Sequence, residues 1–149
     1  MDLSSILPNW LEKLISARAR QKANDLRIAD KALQLRRQLL SSFEDYHGDP
    51  KTQDELTGWA AKLSNGFRHT EPGLRALVDL RPEASNHVQQ AIGDARDHFD
   101  AAADIINLLF KGNGLSINDD NRQDVITKLG AAVRHARDCI KALQAAQKE

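Results

Sequence analysis

A chain of 149 residues, 41% hydrophobic and 28% charged, is typical of one globular domain and argues against an intrinsically disordered protein. Because 21 basic and 21 acidic residues cancel, no overall charge attracts the chain to nucleic acid. The single cysteine, Cys139, excludes an intrachain disulfide and a cysteine-rich zinc site, and it suits a reducing compartment.

The chain opens with an apolar segment that is followed by a basic one. Apolar residues recur at helical spacing from Leu3 to Ile15, and charged residues then occupy the same face. Since charged groups rarely occupy a core unpaired, we predict that residues 1–25 form an amphipathic helical extension outside the core. Such a segment can bind a partner helix, fold back over a bundle end as a lid, or lie on a membrane surface. The predicted partner-binding residues are Leu7, Trp10, Leu11, Leu14, Arg18 and Lys22.

Two helices are predicted in the next part of the chain. Residues 26–46 have a broad apolar face and form the first bundle helix. The second helix is predicted to begin at a capping box, in which Thr52 and Glu55 satisfy each other's backbone amides. Its stripe keeps its phase across Pro72, which therefore predicts a kink rather than a helix end. The stripe consists of Leu56, Ala60, Leu63, Phe67, Leu74 and Leu77.

The second half of the chain contains two uninterrupted apolar stripes with steps of three and four residues, which place each set on one side of a helix. The third helix is predicted to start near Pro82 or Ser85 and to stop at Gly112, and the fourth to be capped by Ser116 or Asn118. The third stripe consists of Val88, Ile92, Ala95, Phe99, Ala102, Ile106 and Leu109. The fourth consists of Ile126, Leu129, Val133, Ala136, Ile140 and Leu143.

These elements predict an all-α fold. Three helices of about 28 residues, joined by short connections, favour antiparallel neighbours. We therefore expect a four-helix up-and-down bundle with a long first helix and an N-terminal apolar extension. Residues 1–25 would form the extension and residues 26–149 the bundle domain. The joint at Pro82 is open to two interpretations, a chain reversal or a kink within one long helix.

Two rows of like charges follow the outer faces of predicted helices. The basic row consists of Lys13, Arg20, Arg27 and Lys31, and the acidic row of Asp94, Asp97, Asp100 and Asp104. Such rows usually face water, and attraction between the two rows in separate copies is the alternative. No aromatic residue alternates with the basic row, so nucleic acid is not the expected partner.

The histidines do not predict a metal site. Metal sites in bundle cores use an inward-facing Glu-x-x-His on each of two helices. Glu44-x-x-His47 is the one example, and it lies at a helix end. His98 and His135 lie off the apolar stripes. We therefore expect neither a metal nor a cofactor.

Arg81 and His87 are separated by five residues at the junction of the second and third helices. This spacing resembles the Arg-x5-His motif of HEPN-type helical ribonucleases, although Pro82 stands where that family often carries a polar residue. The resemblance implies metal-independent RNA cleavage, in which Arg81 stabilises phosphate charge and His87 moves a proton. Because Pro82 separates the two helical segments, we expect these side chains to diverge.

The sequence as a whole favours a non-enzymatic protein–protein interaction module, including self-association through the N-terminal helix. No small-molecule substrate is indicated. The alternatives are the ribonuclease and a peripheral membrane-associated helical protein. The cytoplasm is the expected location, since no run approaches the roughly 18 apolar residues of a membrane span and Asp2 and Pro8 do not fit a secretory signal.

Overall fold

The computed structural model describes residues 9–44, 46, 52–110, 115 and 117–147. They form four α-helices and no strand, which confirms the all-α bundle. The helices are α1 (Asn9–Ser41), α2 (Gln53–Asp79), α3 (Asn86–Leu109) and α4 (Arg122–Ala146). The expectations that concern Leu7, His47, Gly112 and Ser116 fall outside the described residues.

Helix α1 is one continuous helix of 33 residues, about 50 Å long at 1.5 Å per residue. It contains neither glycine nor proline and is rich in Leu, Ala, Arg, Lys and Gln, all strong helix formers. It therefore passes the predicted boundary at residue 25 without a break. What changes near that boundary is burial, because Ile28 is the first buried residue of the helix.

Helix α2 begins at the predicted Thr52 cap and continues past Pro72. The Thr52 hydroxyl oxygen accepts a hydrogen bond of 3.0 Å from the backbone N–H of Glu55, which satisfies one of the first amides of the helix. The helix contains Pro72 and runs on to Asp79. All six predicted stripe residues are buried, and Thr70 fills the gap between Phe67 and Leu74.

The chain reverses at Pro82. Helix α2 ends at Asp79, a 3₁₀ turn spans Arg81–Glu83, and Ser85 is the N-cap of α3. The rings of Phe67 and Phe99, each 16 residues from Glu83 along the chain, have centroids 4.6 Å apart. Such symmetric pairing requires α2 and α3 to run antiparallel, so Pro82 marks a reversal and not a kink.

Helices α3 and α4 bury the predicted stripes. All seven stripe residues of α3 are buried, and so are the predicted residues of α4 except Ile126, which is partly buried. Helix α4 begins later than predicted, because Asn121 and not Asn118 is its N-cap. The Asn118 side-chain oxygen instead accepts hydrogen bonds from the amides of Asp120 and Asn121, and so stabilises the turn before the helix.

Each helix packs on two antiparallel neighbours, since α1 and α3 both lie between α2 and α4. Alanines at Ala91, Ala95, Ala132 and Ala136 line the buried sides of α3 and α4. Small side chains allow two helix axes to approach closely. The α3–α4 pair is accordingly the most extensively packed pair of the bundle.

Candidate interaction surface

Among the described residues, the register of α1 against α2 leaves one end of α1 without a neighbouring helix. The Gln21 side-chain amide donates to the carbonyl oxygen of Glu83 at 2.7 Å, and the Asp25 carboxylate accepts from the backbone N–H of Ser85 at 3.1 Å. Residues 21–25 thus lie level with the connection between α2 and α3. The preceding residues Asn9–Arg20, which we call the projecting segment, extend about 18 Å further.

The projecting segment exposes large apolar side chains. Trp10 is 68% exposed, Leu14 42% and Ile15 51%, whereas Leu11 is half-buried. Helix α1 is continuous through this segment and contains no glycine or proline at which it could turn back over the bundle end. The lid interpretation therefore does not hold for residues 9–15.

A groove of about 860 Å³ lies at the base of the projecting segment. One wall is α1, and the others are the start of α3 and the end of α4. The groove exists because α4 ends at Ala146 and α3 begins at Asn86, while α1 continues past both. Its apolar lining is formed by Leu26, Ala29, Val88 and Ala146, and its polar lining includes Arg18, Lys22, Asp25 and His87.

The charges of the groove match its position in the bundle. The last carbonyl groups of a helix carry a partial negative charge, and cations beside them are stabilised. Arg18 and Lys22, two of the predicted partner-binding residues, line the groove together with Ala146 and Gln147 at the end of α4. The surface therefore combines an apolar lining with two cations, Arg18 and Lys22, and one carboxylate, Asp25.

The structure does not bring Arg81 and His87 together. The Arg81 guanidinium lies against Gly93, where an added Cβ would come within 2.7 Å of an Nη atom. The exposed His87 lines the groove instead. Gly93 is six residues after His87, which is about 9 Å along α3 and on a different face. The Arg81 guanidinium and the His87 ring therefore lie beside different parts of α3.

The structure joins three side chains that the sequence left apart. His98 of α3 faces His135 of α4, with their Nδ1 atoms 3.4 Å apart, and Asp138 lies beside them. His135 and Asp138 are three residues apart and so share a face of α4. This spacing was visible in the sequence, but the position of His98 opposite them depends on how α3 and α4 pack.

The acidic row faces solvent, and Cys139 packs in the core. All four aspartates of the acidic row are exposed, and Asp100 accepts a hydrogen bond from Arg96 at 3.2 Å. Burial, with a smaller effect of Asp100, raises the pKa of the Cys139 thiol to about 12. The thiol is therefore protonated at neutral pH and is a packing residue, not a nucleophile.

No protein-family profile matches this chain, and neither does any curated protein or solved structure. Within the described ranges, none of the helices has the length and apolar character needed to cross a membrane.

Proposed function

We propose that this protein is a non-enzymatic interaction module that pairs with a second copy of itself through α1. The observation that supports the proposal is the distribution of exposed apolar side chains. Of the six large ones among the described residues, Trp10, Leu14, Ile15 and Leu26 lie on one stretch of α1. Apolar patches of a few hundred Å² on a monomer commonly mark binding sites.

Helix α1 offers both halves of a self-complementary interface. If two copies of α1 pair antiparallel about a two-fold axis near Arg18, Trp10 of one chain lies level with Leu26 of the other along the helix axis, since each is eight residues from Arg18. Each projecting segment then enters the other chain's groove. There the projecting segment lies beyond the end of α4 of the other chain. Like that α4, it runs antiparallel to the other chain's α1. A two-fold interface of this kind is closed and ends at a dimer.

The charges near the two-fold axis predict how salt changes the stability of the dimer. Arg18 and Lys22 of both copies come close together, and like charges repel. Salt screens this repulsion, so the dimer should become tighter as the salt concentration rises. An acidic partner protein or an anionic membrane would show the opposite dependence. The salt dependence therefore separates self-association from the other two kinds of partner.

Light scattering after size exclusion tests the proposal on the full chain. We expect a mass approaching twice the 16.6 kDa of one chain, with more dimer in about 0.5 M than in about 0.05 M salt. The double variant Trp10→Ser, Leu14→Ser should be monomeric. Leu108→Ser is the matched control, because Leu108 is 59% exposed but lies on α3, and it should leave the dimer intact.

A monomeric full chain at high micromolar concentration in both salts would overturn the proposal. Binding of that monomer to anionic vesicles, weakened by salt, would indicate a membrane surface instead.

As to location, a reducing compartment such as the cytoplasm suits the single buried cysteine, and we propose it for this protein.

A further inference from the structure

Two histidines and a carboxylate meet on the α3–α4 pair, away from α1. The Nδ1 atoms of His98 and His135 are 3.4 Å apart, and their ring planes are inclined by 33°. Asp138 adds a carboxylate oxygen, and the three possible ligand atoms all lie within 4.8 Å of one another.

The distance between the two nitrogens is that of a pair of metal ligands. It is longer than the usual donor–acceptor distance of a hydrogen bond. A tetrahedral Zn²⁺ with Zn–N bonds of about 2.0–2.1 Å places neighbouring ligand nitrogens about 3.3–3.4 Å apart. The two Nδ1 atoms thus already lie at the separation that such an ion requires. Rotation about the side-chain bonds of Asp138 brings its carboxylate oxygen closer to the ion position between the two rings.

The packing of α3 on α4 fixes this geometry. Buried alanines at Ala95, Ala132 and Ala136 hold the two helices close together, so the histidines are carried on a rigid frame. Both rings are only half-buried, and an ion can reach them from solvent. Ligands held in position before binding lose little conformational freedom when the ion arrives.

The three side chains are also available for a ligand. In the described part of the chain, Asp138 forms no ion pair, and the 3.4 Å contact between the two histidines is the one polar contact of either ring. The exposed carboxylates of Asp94 and Asp97 lie within one turn of His98 on α3. They add negative potential that attracts a cation to this face.

We propose that His98, His135 and Asp138 form a binding site for one divalent transition-metal ion, and that Zn²⁺ fits it best. Imidazole nitrogen with one carboxylate is a donor set that suits Zn²⁺ and not Mg²⁺ or Ca²⁺, which prefer oxygen ligands. Three protein ligands leave one tetrahedral position for water. The site lies on helices other than α1, so it does not depend on the proposed self-association.

Titration of the untagged full chain with Zn²⁺, followed by calorimetry, tests the site. We expect one ion per chain. His98→Ala and His135→Ala should each weaken binding at least about tenfold, the lower end of the loss seen when even a supporting group of a metal site is removed. Asp138→Asn should weaken it as well. His69→Ala is the control, since His69 is exposed on α2, and it should bind like the unaltered chain.

A second measurement separates loss of a ligand from loss of the fold. Co²⁺ bound in a tetrahedral site gives intense visible absorption bands, which should appear with the unaltered chain and disappear in His98→Ala. Circular dichroism should show that this variant remains helical. The proposal is overturned if Zn²⁺ does not bind at micromolar concentration, or if it binds the two histidine variants as tightly as the unaltered chain.

Discussion

At the scale of single residues, glycines decide how closely α1 and α2 approach. Gly66 faces the buried Ser42 just after α1, where an added Cβ would overlap the Ser42 side chain and come within 3.4 Å of its Cα. Gly73 faces Leu35, whose Cδ2 would be 2.6 Å from an added Cβ. Gly58 lies on the same helix with nothing within 4 Å. Only some glycines of α2 are therefore needed for packing.

Alanine at these positions should have opposite effects on stability. Gly66→Ala should lower the free energy of unfolding by about 1–3 kcal/mol, because the backbone after α1 must move to make room. Gly58→Ala should raise it by about 0.5–1 kcal/mol, because alanine is the better helix former and has open space. Urea titrations of both variants measure the two changes. Equal stabilisation by both substitutions would show that Ser42 does not pack against α2.

At the scale of the element, α3 meets its two neighbours in different ways. The aromatic ring of Phe99 packs on Phe67 of α2, with the ring planes inclined by 33°. Toward α4, α3 presents alanines such as Ala95 and Ala102, which are fully buried. Large side chains fill the space toward α2, while small ones permit close approach to α4.

Truncating a side chain in the buried stripe of α3 should lower the free energy of unfolding strongly. Truncating an exposed side chain of the same helix should lower it only slightly. Phe99→Ala should cost about 3–5 kcal/mol, because it removes buried contacts and leaves a cavity opposite Phe67. That is a large part of the roughly 5–15 kcal/mol that stabilises a typical domain. Leu108→Ala, at a side chain 59% exposed on the same helix, should stay within about 0.5 kcal/mol. Thermal unfolding followed by circular dichroism compares the two, and similar midpoints would contradict the assigned core.

At the scale of the whole molecule, the buried core and the projecting segment occupy different parts of α1. The core begins at Ile28 on α1, and none of residues 9–27 belongs to it. Side-chain contacts from Gln21 and Asp25 to the α2–α3 connection mark the end of the bundle on this helix. The segment before them exposes apolar surface without contributing to the core.

Removal of residues 1–15 should therefore leave the bundle intact. At a protein concentration where both proteins are monomeric, we expect the unfolding free energy of the truncated chain to stay within about 0.5 kcal/mol of the full chain. At high concentration only the full chain should dimerise. A large loss of stability in the truncated monomer would show instead that the first residues pack on the bundle.

The sequence by itself determined the helices and their buried faces. Every predicted stripe residue of α2 and α3 is buried, because the 3.6-residue period is a local property of the helix and can be read from spacing alone. The Thr52 cap was equally local, since both partners lie within one turn. The charged residues that follow the first apolar segment on the same face also predicted that residues 1–25 lie outside the core, and Ile28 is the first buried residue of α1.

The tertiary structure alone decided which faces of different helices meet. Neither the direction of the chain after Pro82, nor the overhang of α1, nor the meeting of His98 with His135 follows from a local pattern. Each depends on the register between helices, and that register results from many contacts at once, among them the glycine at Gly66 and the alanines between α3 and α4. Residues distant in sequence become neighbours only through that sum of contacts, which no periodicity along one helix encodes.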